Sequence, residues 1–441
     1  MAAATLALIL TGSIVLQALR PERRLLIVLS GAGLACLVSS LAGVTSTARL
    51  LAAVPWDVLV LLVALGLLTE VLAASRVFAI FAVRATRVTG ARPGVFAAVF
   101  SVGMFVVSGL VNNLTALLLV VPVMLIVFRQ MGVTQRYLTW CLGVVLVACN
   151  LGGAATPIGD FPAVLLLGRG AMTFGAYLEA AYPLTAVALV LMLAAAGALA
   201  RPAHDVQVSR LSARLTVATV SAMHRGLKVE WRYLGPGLAA LVGMLVAWTA
   251  IPASSGIGPE LIGWVGALAA LLASGLAGER FVRGRVDVEA TLFLLGLFVM
   301  VGAVRETGAF AALADALVAL PISPVAQVAV FLVVAAVLTG IFSAGPSMAA
   351  LLEVASVLAK QHSPDAIYVG LALSVCAGSS LFLTAATAGP LTQALVERAQ
   401  LKGPSGEPLR FGYFDFVPVG VLGFSIILSV GLVSTLLAVA R

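Results

Sequence analysis

From residue 93 to residue 128 the chain runs for 36 residues without a charged side chain. As one straight helix, rising 1.5 Å per residue, the run would be about 54 Å long, against a bilayer hydrocarbon core of about 30 Å. A second run, 324–352, continues past Glu353 to residue 358 and has the same excess. Each reads as a re-entrant hairpin that enters the membrane and comes back on its own side. The turning points fall on Asn112, Asn113 and Thr115 in the first run, and on Ser343, Gly345, Pro346 and Ser347 in the second. Irregular backbone at membrane depth is tolerated only where it is buried in protein or lines a cavity, so both tips are site candidates.

The rest of the chain agrees. Of its 441 residues 62% are apolar and 10% charged, with a mean hydropathy of +1.15. These proportions exclude a cytosolic globular enzyme, a disordered chain and a disulfide scaffold. Charge-poor runs mark ten single spans, at about 4–19, 25–48, 57–80, 138–168, 172–200, 233–256, 261–278, 289–308, 366–396 and 414–440. The expected fold class is therefore an all-α polytopic membrane protein with about ten transmembrane helices and two re-entrant hairpins, at 93–128 and 324–360.

The net charge of +8 does not indicate nucleic acid, because the basic residues are scattered between apolar runs rather than gathered on one solvated face. They report orientation instead. With the N-terminus outside, 21 Lys and Arg lie inside and five outside, the five being Arg49, Arg169, Arg305, Lys360 and Arg441. The positive-inside rule selects this arrangement, with both termini external and 201–232 as a cytoplasmic linker. The apolar N-terminus has no basic residue before it and no cleavage signal, so it reads as the first crossing. Cys36, Cys141, Cys149 and Cys376 sit within apolar segments without metal spacing, and His204, His224 and His362 lie in polar stretches. Neither set suggests a metal centre or other cofactor.

The two halves, 1–200 and 233–441, resemble each other at a spacing of about 230 residues. WDVLVLLVALGLLTEVLAASRVF (56–78) matches EATLFLLGLFVMVGAVRETGAF (289–310), and Ser108-Gly109 aligns with Thr339-Gly340. Glycine-rich interruptions follow in both, NLGGAATPIGD (150–160) and AGSSLFLTAATAGP (377–390), and Phe174-Gly175 is echoed by Phe411-Gly412. Five crossings per half make the second half enter from the opposite side. Inverted repeats with paired broken helices are the architecture of secondary transporters, whose sites lie at the midplane.

Within the first interruption, in the span 138–168, Gly152, Gly153 and Pro157 should unwind the helix. Freed carbonyls, Asn150 and Thr156 would then offer neutral oxygens for a cation, and a following helix N-terminus could hold an anion. Asp160 is a functional candidate by default, because a carboxylate at membrane depth costs several kcal/mol unless paired, hydrated or protonated. It could ligate a cation or carry a proton. The alternatives are a packing kink for the glycines, a helix-capping role for Asp160 and a structural amide ladder for Asn112, Asn113 and Thr115. The second tip and the second interruption, in 366–396, carry Ser343, Ser347, Ser379, Ser380, Thr384 and Thr387, hydroxyls without an acid or amide. The two sites should therefore be unequal, with the strong cation site, Na⁺ at Asn113, Thr115, Asn150 and Asp160, in the first half. Glu70 is either a proton relay or a structural partner, Glu353 a source of the acid the second tip lacks, and Arg305 with Glu306 a snorkelling pair.

NNLTA at a hairpin tip, followed by NLGGAATPIGDFPAVLLL in a broken helix, resembles the ion transporter superfamily of divalent anion/sodium symporters, arsenite permeases, NhaD-type antiporters and citrate transporters. The resemblance implies a homodimer, a mobile transport domain moving against a scaffold as an elevator, and Na⁺ or H⁺ coupling at Asn112, Asn113, Thr115, Asn150, Gly152, Thr156 and Asp160. TPIGD matches the antiporters, while the Pro-Pro-Asn of the dicarboxylate symporters is replaced here by Asp160-Phe161-Pro162-Ala163. The expected function is secondary transport of a small ion, with cation/proton antiport leading and cation-coupled carboxylate or oxyanion transport as the rival. An intramembrane enzyme or a scaffold is the distant alternative, since no catalytic set stands inside the membrane. No GxxxxGK[ST] occurs, which leaves an ion gradient as the energy source.

Overall fold

The computed structural model describes residues 2–20, 23–90, 92–200, 206, 210–223, 226–251, 255–285, 288–386 and 388–440. The first part comprises α1 (Ala2–Leu19), α2 (Arg24–Leu41), α3 (Thr47–Ala52), α4 (Trp56–Ala74), α5 (Val77–Thr89), α6 (Pro93–Ser108), α7 (Asn113–Met131), α8 (Gln135–Ala155), α9 (Phe161–Gly168) and α10 (Phe174–Ala195). There follow α11 (Arg210–Met223), α12 (Trp231–Ala250), α13 (Pro259–Ala273), α14 (Leu276–Arg285) and α15 (Val288–Arg305). The chain ends with α16 (Ala309–Val318), α17 (Pro324–Phe342), α18 (Ala344–Leu358), α19 (Pro364–Leu381), α20 (Ala388–Ala399) and α21 (Tyr413–Val439). Among the described residues the only extended pairing is the isolated bridge of Lys402 with Pro408. The fold is all-α.

Ten helices among the described residues are long and apolar enough to cross a membrane. The number equals the sequence expectation, but the membership differs. α7 and α17, which the sequence assigns to hairpins, qualify, whereas the apolar helices at 2–17 and 259–273 fall short. Length decides the difference, since an 18-residue helix rises only about 27 Å. The span expected at 57–80 is two helices: it stops at Ala74, and Arg76, at φ 63°, turns the chain into α5. The span at 289–308 is a single helix, α15, which ends at Arg305, and Gly308, φ 75°, then turns the chain into α16. The segment 201–232, expected as a linker, contains α11, which packs on α5 and α7.

The order of elements from α4 to α10 recurs from α15 to α21, and so do the packing partners. α6 lies on α8 as α17 lies on α19; α4 packs against α12 and α13 as α15 packs against α1 and α2. At the centre stand α8 and α19, which are 94% and 72% buried and touch each other. Around them α7 packs on α20 and α18 on α9.

Bonds at the helix ends tie particular loops together. The Arg129 guanidinium donates to the Ala399 carbonyl. Gln135 donates to the Arg410 carbonyl at 2.7 Å and accepts from its amide at 2.9 Å. The Tyr137 hydroxyl donates to Pro93 O at 2.8 Å, and Glu230 N donates to Ser75 O at 3.0 Å. Elsewhere Glu353 of α18 meets Arg169, at the end of α9, at 2.9 Å and Arg305, at the end of α15, at 3.5 Å. The partner of Arg305 is thus Glu353 rather than the adjacent Glu306, because the fold brings α15 and α18 side by side.

Candidate functional site

The first hairpin turns between α6 and α7 at residues 109–112, and the first broken helix opens between α8 and α9 at residues 156–160. The helix does not unwind at Gly152 and Gly153, as the glycines suggest; both lie inside α8, and the break begins at Thr156. Their role is closeness. A Cβ on Gly152 would run into the Phe105 carbonyl, and one on Gly153 would stand 2.7 Å from Asn113 Oδ1 and 2.8 Å from Asp160 Cβ. Small residues at these two positions let the hairpin and the broken helix touch backbone to backbone.

Polar bonds then fasten tip to break. Thr156 Oγ1 donates to Gly109 O at 2.6 Å. Ser108 Oγ reaches Asn113 Oδ1 and the Cys149 carbonyl, the latter at 2.7 Å. Asn112 caps α7 through its side-chain oxygen, which accepts from Leu114 N at 2.8 Å. Asp160 caps α9, Oδ1 accepting from Phe161 N at 2.8 Å, and its carboxylate also accepts from the Asn113 side chain. The capping reading of Asp160 is therefore correct, and it coexists with a place in the site.

The two halves meet at Asn150. Its Nδ2 donates to Ser379 O at 3.2 Å and to Ser380 Oγ at 3.1 Å, across the contact of α8 with α19. Its Oδ1 is buried without a hydrogen-bond partner. An unpaired buried acceptor costs about 1–3 kcal/mol unless a hydrogen donor or a cation reaches it. Two cavities adjoin this region. The smaller, between Asn150, Asp160, Tyr177, Cys376 and Ser379, offers about 10 Å³ to the centre of a water-sized sphere, room for one water or one bare ion. The larger, about 40 Å³ on the same measure, lies between α4, α12, Asn112 and Asp160. Asp160 lines both, and among the described residues it is the only charged side chain in either wall.

The remaining sequence candidates are dispersed. Thr115 is half-buried in the first turn of α7, one turn into the helix from the tip. Ser343 forms the second tip alone, at φ 82°, a conformation strained for a residue with a side chain. Gly345 and Ser347 fall in the first turn of α18. A Cβ on Gly345 would stand 3.9 Å from the rings of Phe161 and Phe293. Thr384 is exposed in the break between α19 and α20, and Thr387 lies outside the described residues. Glu70 is half-buried on α4 and lines neither cavity, although its neighbour Thr69 lines the larger one. Glu353 is held by its two arginines, away from Asp160's cavities. Ser108 and Tyr177 adjoin the candidate site although the sequence marks neither as a site residue. Tyr177 is fully buried, and its hydroxyl donates to Ala154 O at 2.8 Å, satisfying one of the carbonyls left free at the end of α8.

Comparison with known proteins decides the family. The citrate transporter family profile matches residues 14–375, most of the chain. The chain belongs to the citrate transporter family. Through it the protein is a member of the ion transporter superfamily. An uncharacterized transporter of Mycobacterium tuberculosis is 30% identical over 386 residues, 86% of each chain. The magnetosome protein MamN of Paramagnetospirillum magneticum is 27% identical and covers 92% of this chain and 93% of its own. The crystal structure of the Alcanivorax borkumensis YdaH transporter matches with a TM-score of 0.60 at 15% identity, over 92% of this chain and 88% of that one. This citrate transporter family member is thus a multi-pass membrane transporter with the same general fold.

Proposed function

We propose that the protein is a secondary active transporter that exchanges a monovalent cation for protons at Asp160. One observation carries this reading: among the described residues a single carboxylate, Asp160, is the only charge in the walls of two cavities, and it lines both. A site that binds either a cation or a proton on one carboxylate couples the two by exclusion, since loading one displaces the other. The neutral oxygens around it, from Asn113, Asn150 and Ser379, suit a partly dehydrated cation.

The repeated order of elements supports an inverted repeat, with α6–α7 and α17–α18 as the two re-entrant hairpins. In an elevator movement these hairpins and the broken helices would travel together against α1–α4 and α12–α15, in a homodimer as the superfamily resemblance implies. The loop bonds support the grouping of segments onto two sides on which that orientation, with both termini outside, is built. Arg129 to Ala399, Gln135 to Arg410 and Ser75 to Glu230 each join segments assigned to the inside, while Glu353 joins two arginines assigned to the outside. These assignments fit a bacterial inner membrane.

The family's name favours a second reading, cation-coupled transport of a carboxylate such as citrate. The N-termini of α7 and α9 beside Asp160 are the groups that would hold such an anion. Among the described residues neither cavity wall contains a Lys or Arg to offset its charge, and for that reason we rank this reading second. Proteoliposomes carrying an internal pH dye separate the two. Pulses of Na⁺, Li⁺ or K⁺ alone should move protons under the antiport reading. If citrate, succinate or an oxyanion moves with Na⁺ or H⁺ and cations alone do nothing, the protein is a symporter.

A further inference from the structure

One basic surface is built by the fold from segments far apart in the chain. α12 is long and apolar enough to cross a membrane and begins at Trp231, so its first turn stands at the membrane surface. There Glu230 N donates to Ser75 O at 3.0 Å, which brings the exposed Arg76 beside that turn. α14 packs on α4 and α13. Its ten residues include Glu279, Arg280, Arg283 and Arg285, too polar a set to cross, so this helix lies along the surface between the apolar helices α13 and α15. The ring of Phe281 on α14 meets that of Tyr233 on α12 edge-on at 5.9 Å, and the Arg232 guanidinium lies 4.6 Å above the same tyrosine.

Charge and apolarity coincide here. Arg76, Arg232, Arg280 and Arg283 are all exposed. Glu230 pairs with Arg232 at 3.5 Å and Glu279 pairs with Arg283, which leaves four cations against two carboxylates among these side chains. On the same two helices Trp231 and Leu276 are 69% and 78% exposed. A fully solvated basic face has no use for an exposed indole and leucine, whereas the two kinds of side chain belong together where hydrocarbon meets headgroups. The positive-inside rule explains how many basic residues a side carries. It does not explain their collection around exposed apolar groups.

We infer that this surface, formed by the first turn of α12, by α14 and by the end of α4, binds the headgroup of an anionic phospholipid. The guanidinium groups take the phosphate through their N–H donors, while Trp231 and Leu276 lie against the upper part of the acyl chains. α4 and α12 also line the larger cavity, so a lipid held at their ends fixes the depth of two of its walls. The inference does not depend on what Asp160 binds.

Native mass spectrometry of the purified full-length protein, released from a neutral detergent, tests it by titration with phosphatidylglycerol or with phosphatidylcholine of the same acyl chains. Two triple variants carry the same change of charge. One is Arg232→Gln with Arg280→Gln and Arg283→Gln; the other is Arg84→Gln with Arg214→Gln and Arg398→Gln, exposed residues assigned to the same side but lying elsewhere. Each is first checked for monodispersity and a cooperative melt, and the single variant Arg280→Gln decides if the first triple does not fold. We expect the wild type to bind phosphatidylglycerol about tenfold or more tighter than phosphatidylcholine. The first triple should lose about tenfold or more of that affinity and Arg280→Gln about fivefold, with the second triple within about twofold of wild type. Equal binding of the two lipids by the wild type, or equal losses in the two triples, would overturn the assignment. So would displacement of the lipid by soluble glycerol phosphate, which would make a free phosphate the ligand.

Discussion

A methyl group is enough to test the contact on which the site depends. In Gly153→Ala the new Cβ must displace the Asn113 amide or the Asp160 side chain at its Cβ, both under 3 Å away. The cost of such overpacking is about 1–3 kcal/mol. We expect a lowered melting temperature and at least a tenfold loss of ion-coupled flux in liposomes, whereas Gly175→Ala, whose Cβ meets nothing within 4 Å, should leave both unchanged. Asp160 makes a second prediction at this scale. If proton and cation compete for one carboxylate, the half-saturating cation concentration rises as the pH falls, approaching about tenfold per pH unit once the group is mostly protonated. Measuring it by stopped-flow between pH 6 and pH 9 checks the sign; a pH-independent value would exclude direct competition. Asp160, Asn150 and Asn113 are legible in the sequence because polar groups within apolar runs are costly unless used. Tyr177 is not, because an aromatic at helical spacing looks like any packing residue until its hydroxyl is seen on a freed carbonyl.

Between elements, the decisive link is the bond from Thr156 to the Gly109 carbonyl, which closes the hairpin tip on the broken helix. Thr156→Val keeps the shape and removes the hydroxyl, leaving that carbonyl without its partner, at a cost of about 1–3 kcal/mol. We expect reduced thermal stability and slower transport, with Thr156→Ser restoring both; equal behaviour of the Val and Ser variants would show that the hydroxyl is idle. The positions of the turns and breaks are readable from charge-free length and from Asn, Gly and Pro within apolar runs. The conformation of the glycines is not, because Gly permits unwinding and close helix packing alike. Only the Phe105 backbone pressed on Gly152 selects packing. Likewise the turn at Arg76 gives no sequence signal, since a left-handed φ is ordinarily the mark of glycine.

Over the whole molecule, the recurrence of the order of elements is anticipated by sequence pattern alone, while the ion pairs that join distant elements are not. Glu353 and Arg169 are separated by 184 positions in the chain. Their side chains are 17% and 27% exposed, against 54% and 40% for Glu289 and Arg24. Glu353→Gln leaves Arg169 and Arg305 facing each other without a carboxylate, which should cost about 1–3 kcal/mol, whereas Glu289→Gln should cost less than about 1 kcal/mol. Thermal unfolding of the two variants in the same detergent checks the order, and equal melting temperatures would show that the three-membered cluster adds nothing to holding α9, α15 and α18 together.

The central claim is that one carboxylate couples the two fluxes. Its most direct test is cation-driven proton movement in proteoliposomes made from wild type, Asp160→Asn and Asp160→Glu. The account predicts robust exchange for wild type, none above protein-free vesicles for Asp160→Asn, and partial exchange with altered cation affinity for Asp160→Glu. Wild-type exchange by Asp160→Asn would contradict it.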